Sequence, residues 1–234
     1  MSKIFTLLII IISSIIVHGQ TATFELNQNW QFRKLHENNW HKASVPGTVH
    51  TDLLANKLIP DPYFSINESK LQWIDTCDWE YRSIFTVDEE LFKKQQIEMV
   101  FEGLDTYADV YLNGKLILKA DNMFRGWVVT VRSLLKKTGN VLRIVFFSAK
   151  NKVDSIAKKE LPIILPDNPR VYARKAQYHF GWDWGPTFVT CGIWKKIKLE
   201  GWNGVRIRPS YAIVENNVKL IQQKDSFGDR KSVV

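Results

Sequence analysis

The dominant pattern along the chain is apolar and polar residues alternating with a period of two, in short runs broken by turn residues; sustained helical periodicity is scarce. Trp79, Tyr81, Ser83, Phe85 and Val87 alternate with Glu80, Arg82, Ile84 and Thr86, which predicts a strand with one aromatic face. Residues 24–32, 96–101, 125–131, 141–149 and 192–202 read the same way. Residues 107–112 and 115–119 flank Asn113-Gly114, the pair that best tolerates the positive φ angles of a type I′ turn, so they form a hairpin. The series predicts an all-β, antiparallel sandwich.

Two stretches interrupt the series. Residues 49–58 place Val49, Leu53 and Leu54 on one side of a short helix, and residues 151–160 read as a polar surface turn or helix. Pro162, Pro166 and Pro169 hold residues 161–170 in an extended loop. From Val205 a new segment begins, with Val205, Ile207, Val218 and Leu220 patterned as strands, too little sequence for a core of its own.

The termini read differently. Lys3 followed by an apolar run over 4–17 and the small residue Gly19 predicts a signal peptide over 1–19, hence an exported protein (periplasmic, extracellular or lysosome-like) with no membrane association after cleavage. Residues 229–234, Asp-Arg-Lys-Ser-Val-Val, match the in-frame translation of a widely used sequencing adapter and are expected to be foreign to the natural chain, which is then cut short.

Composition narrows the function classes. In 234 residues, 45% hydrophobic and 24% charged, disorder and fibrous repeats are excluded. The net charge of +8 comes from lysine doublets (93–94, 136–137, 158–159, 195–196) interleaved with acids, a solvated surface without any nucleic-acid-binding signature. Cys77 and Cys191 are the only cysteines; whether they pair is open, and no metal-ligand spacing or cofactor motif accompanies them.

The densest chemistry lies in residues 178–186, Tyr-His-Phe-Gly-Trp-Asp-Trp-Gly-Pro. Flat rings cover the C–H face of a sugar while a carboxylate accepts hydrogen bonds from its hydroxyls, so Asp183, Trp182 and Trp184 are candidate substrate-binding residues. A carboxylate bracketed by indoles would be disfavoured in a core. A second marker is residues 45–54, with Pro46-Gly47 fixing a turn ahead of His50 and Asp52; His50 is expected to be a structural hydrogen-bonder, since no nucleophile accompanies it. Asp61-Pro62-Tyr63-Phe64, Trp73 and Asp78-Trp79-Glu80-Tyr81 make a third cluster. No catalytic residue is assigned.

Several of these segments carry a family resemblance. Residues 46–53 (Pro-Gly-Thr-Val-His-Thr-Asp-Leu), Asp61–Phe64 with Asn67-Glu68, 78–82 (Asp-Trp-Glu-Tyr-Arg), 101–108 (Phe-Glu-Gly-Leu-Asp-Thr-Tyr-Ala) and 180–186 (Phe-Gly-Trp-Asp-Trp-Gly-Pro) together resemble β-mannosidases of glycoside hydrolase family 2, over residues 24–202. The resemblance implies that residues 20–204 are the N-terminal jelly-roll domain, galactose-binding-like in shape, and that 205–228 begin an immunoglobulin-like domain. It implies an exo-acting, retaining enzyme whose two catalytic glutamates lie on a (β/α)₈ barrel beyond this chain, leaving the fragment inactive or a lectin-like module. The expected partners are a β-mannoside oligosaccharide and those missing domains. Asp183 would accept hydrogen bonds from a terminal mannose and Trp182 would wall the subsite.

Overall fold

The computed structural model describes residues 21–159 and 169–206, and the backbone of strands within 210–233. The predicted leader and residues 161–168 of the proline-rich stretch lie outside the described residues. Among the described residues no helix is long and apolar enough to cross a membrane.

Among the described residues the chain forms thirteen strands. Ala22–Glu25 (β1), Gln96–Phe101 (β5), Trp127–Thr130 (β8) and Ile197–Trp202 (β10) form one antiparallel sheet in the order β1-β10-β5-β8. Trp30–Lys34 (β2), His41–Lys42 (β3), Trp79–Phe85 (β4), Tyr107–Leu112 (β6), Lys115–Asp121 (β7) and Asn140–Phe147 (β9) form the other, in the order β3-β2-β4-β9-β6-β7. Ser210–Glu215 (β11), Val218–Lys224 (β12) and Arg230–Val233 (β13) pair as a separate antiparallel sheet.

The inward residues of both large sheets make one core. Phe32, Tyr81, Val110, Leu142, Ile144 and Phe146 from the six-stranded sheet join Ile97, Met99, Phe101, Ile197 and Leu199 from the four-stranded one. The Phe32 and Tyr81 rings stack at 5.7 Å, and Tyr81 meets Phe146 edge-on at 5.7 Å. Each such ring removes on the order of 150–250 Å² of surface from water, which is why the aromatic face of β4 turns inward.

The structure corrects several expectations. Residues 24–32 are not one strand: the chain turns at Asn29, whose φ is 59°, and β1 and β2 fall in different sheets. Strand β4 does bury Trp79, Tyr81, Ser83 and Phe85, but Glu80 is buried too. Arg33 (3.0 Å) and Arg143 (2.6 Å) neutralise it from the neighbouring strands, so the period-2 rule yields to a charge pairing. The hairpin forms as predicted, with φ of 51° at Asn113 and 85° at Gly114.

Helix Val49–Ala55 (α1) starts at Thr48, whose hydroxyl and that of Thr51 form a reciprocal capping box. Val49 and Leu53 are buried, whereas Leu54 is 42% exposed. Helices Asn67–Leu71 (α2) and Glu89–Phe92 (α3) were invisible to periodicity because each is about one turn long. The helix at Ala149–Lys159 (α4) buries Ala149, Val153 and Ala157, a narrow stripe within polar sequence. Val205 is 93% exposed and in no strand. Cys77 and Cys191 are both free.

Candidate functional site

Residues 175–190 leave the sandwich and return to it, and the Trp182-Asp183-Trp184-Gly185 tip lies between. Trp182 and Gly185 exchange main-chain hydrogen bonds at 3.4 and 3.2 Å, which closes a tight turn with Asp183 and Trp184 at its apex. Below the tip, the Phe188 N–H donates to the His179 carbonyl at 3.0 Å. Gly181 has φ +99°, and a Cβ there would sit 2.6 Å from Thr187 Oγ1, so only glycine fits. The returning limb is held from α2 and the following 3-10 turn, Gln72–Thr76: Glu68 Oε1 accepts from the Thr187 N–H (2.7 Å) and Gln72 Nε2 donates to the Thr187 carbonyl (2.9 Å).

Trp182 is 54% exposed and Trp184 85%. Neither is a core side chain. Asp183 is exposed as well, so all three apex side chains stand outside the core.

Two hollows flank the tip. One, about 420 Å³, is lined by Trp182, Tyr178, His179, Pro186 and Phe188 of the loop, with His50, Thr51 and Leu54 of α1 and Pro62 and Tyr63. Three sequence markers thus converge there: residues 45–54, Asp61–Phe64 and 178–186. The second, about 360 Å³, is a shallow depression lined by Arg170, Gly181, Trp182 and Asp183. Asp183 does not reach the larger cleft and Trp184 lines neither hollow; Trp182 alone of the three borders both.

The floor of the cleft is electrostatically unusual. His50 Nε2 stands 3.6 Å from Asp75 Oδ1, and neither ring nitrogen of His50 nor either oxygen of Asp75 has a hydrogen-bond partner of good geometry among the described residues. His50 is therefore not the hydrogen-bonder expected from sequence. Burial, then the charge of Lys175, pushes its pKa down to about 4. His179 is pushed down to about 4 by the same two causes. Burial pushes Asp75 up to about 6, although the nearby Val189 amide and the Lys150 and Lys175 charges favour its ionised form. At neutral pH the floor presents two uncharged imidazoles.

Other marked residues serve the core. Asp52 is 1% exposed and accepts from Tyr81 Oη (2.9 Å) and the Ser44 N–H (2.8 Å). Burial pushes it up to about 6 against those two hydrogen bonds. Trp79 and Tyr81 are buried, and Trp73 packs on Trp79 at 6.1 Å. Among the described residues, no cluster of three or more His, Cys, Asp or Glu could hold a metal ion.

Sequence reasoning missed Lys175, Asp105, Glu68 and Gln72 as supports of the tip, because their spacing along the chain carries no periodic signal. Asp105 and Glu68 stood inside quoted motifs, which was the available hint.

Comparison with known proteins fits this geometry. Residues 30–195 match the family model for the glycosyl hydrolase 2 galactose-binding domain-like region. The chain is 39% identical over 208 residues to β-mannosidase B of Thermothelomyces thermophilus, covering 85% of this chain and 24% of that protein. To β-mannosidase B of Aspergillus fumigatus it is 38% identical over 186 residues, 76% of this chain and 22% of that one. The crystal structure of the β-D-mannosidase from Dictyoglomus thermophilum superposes with a TM-score of 0.78 at 43% identity, covering 86% of this chain and 25% of that chain. The exo-chitosanase of Amycolatopsis orientalis, at 16% identity and a TM-score of 0.62, shares the fold. The chain spans about a quarter of the length of these β-mannosidases. It belongs to the glycosyl hydrolase 2 family through its galactose-binding-like N-terminal domain.

Proposed function

We propose that this chain is the non-catalytic N-terminal part of an exported, exo-acting, retaining β-mannosidase, and that the 182–185 tip is where it meets the sugar. Asp183 accepts hydrogen bonds from hydroxyls of the terminal, non-reducing β-mannose. Trp182 lays its indole against the ring's C–H face, and Trp184 shields the other side. A (β/α)₈ barrel outside these residues supplies the glutamate that protonates the glycosidic oxygen and the one that attacks the anomeric carbon. Strands β11 and β12 open the immunoglobulin-like domain that leads to it.

The observation that carries this reading is the apex itself, where an exposed carboxylate stands between two indoles that are 54% and 85% exposed. Large rings held out of a core by a closed turn have little structural use, and ring plus carboxylate is what a pyranose requires.

Titration calorimetry of the chain with methyl β-D-mannopyranoside tests it. Weak binding lost in Asp183→Ala, with no turnover of an aryl β-mannoside by either protein, is the expected result. No heat with the unaltered chain overturns the assignment of the tip; turnover abolished by Asp183→Ala overturns the non-catalytic role.

A further inference from the structure

The two ends of the 175–190 loop meet at one ammonium group. Lys175 Nζ donates to Asp105 Oδ1 at 2.6 Å, to Asp105 Oδ2 at 2.5 Å and to the Thr190 carbonyl at 2.8 Å. A lysine has three donors, and all are used. Asp105 is in turn fixed to the chain beyond the loop: its N–H donates to the Gly192 carbonyl and the Gly192 N–H to its own carbonyl, both at 3.0 Å. The Thr106 hydroxyl donates to its carboxylate.

The Lys175 side chain is 0% exposed and that of Asp105 1%. Burial pulls the ammonium below its ordinary range, and the Asp105 carboxylate opposes that shift. An ion pair sunk this deep adds little net stability over a well-packed apolar pair, because both ions lose their hydration. Its use must be sought in geometry. With three donors, one ammonium joins a carboxylate on the sandwich to a carbonyl on the far end of the loop.

We propose that Lys175 is a positioning residue: it closes the base of the 175–190 loop on Asp105 and thereby fixes where Trp182 and Asp183 stand. Glu68 and Gln72 hold the loop at Thr187, midway up the returning limb. Base and midpoint together leave the tip little freedom. The purpose assigned to this device rests on the sugar-binding reading; the device itself does not.

Hydrogen exchange by mass spectrometry on the full chain separates the two. In Lys175→Met, Asp105 is left buried and unpaired; in Lys175→Met/Asp105→Asn the charges balance again, but the Thr190 carbonyl still lacks its donor. The double variant is expected to regain most of the melting temperature lost by the single one. It should nevertheless exchange amides 177–189 on the order of tenfold faster than the unaltered chain, with β4 and β9 unchanged. Exchange reads the open population and binding the closed one, so methyl β-D-mannopyranoside affinity should fall by the lost closed fraction, a smaller factor than the change in exchange. Loop protection restored along with stability would overturn the proposal, for Lys175 would then only balance Asp105. Faster loop exchange, with no binding of the mannoside by the unaltered chain, upholds the positioning role and sinks the sugar reading instead.

Discussion

Four buried ionisable groups set how the stability of this domain changes between pH 7 and 5. Asp52 and Asp75 have pKa values pushed up to about 6, and His50 and His179 values pushed down to about 4. A carboxyl raised above its unfolded value holds a proton in the native state that the unfolded chain has released. It adds stability as pH falls through 6 toward 4 and loses it again as pH rises. A depressed imidazole does the reverse: below about 6.5 the unfolded chain takes up a proton that the native site refuses until about pH 4, so stability falls with pH.

From pH 7 to pH 5 each carboxyl gains roughly 1 kcal/mol and each imidazole loses roughly 2, so the four offset one another to a net loss of about 1–2 kcal/mol. Removing one member unmasks the rest. Asp75→Asn should deepen the loss by about 1 kcal/mol, and His50→Gln should relieve about 2, leaving the two variants about 3 kcal/mol apart in their pH 7-to-5 change. Urea unfolding of the three proteins at half-unit pH intervals, followed by tryptophan fluorescence, measures this directly. Surface carboxylates titrate alike in all three and cancel from the differences. Parallel pH profiles would refute the reasoning, since they would mean that neither group keeps a shifted proton affinity in the folded chain.

Two further substitutions probe the supports of the fold and the tip. Tyr81→Phe removes the hydroxyl that Asp52 Oδ2 accepts from at 2.9 Å, and urea melts should show a loss of about 2 kcal/mol for the orphaned buried acceptor; a loss under about 0.5 kcal/mol would mean that the Ser44 amide suffices. Gly181→Ala drives a Cβ to within 2.6 Å of Thr187 Oγ1 at a φ of +99°, costing about 1–2 kcal/mol, and adding Thr187→Ala should recover only part of it; full recovery would show that the backbone carries no strain there.

The sheets were legible in the sequence because half-buried strands advertise themselves: Tyr81 and Phe85 alternate with Arg82 and Ile84, and Asn113-Gly114 names its own turn. The tip was legible for a related reason, since two tryptophans around an aspartate are too costly to expose without use. What could not be read was everything that holds the tip in place. Lys175 and Asp105 are 70 residues apart, and Glu68 and Thr187 are 119 apart. No period links such partners, and a lysine in sequence looks like solvent-facing charge until burial shows otherwise. Glu80 deceives in the same way, sitting at a position whose alternation points outward while two arginines close over it. His50 and Asp75 go further, because the 3.6 Å approach of their side chains, and the burial that shifts both, arise only once the chain is folded.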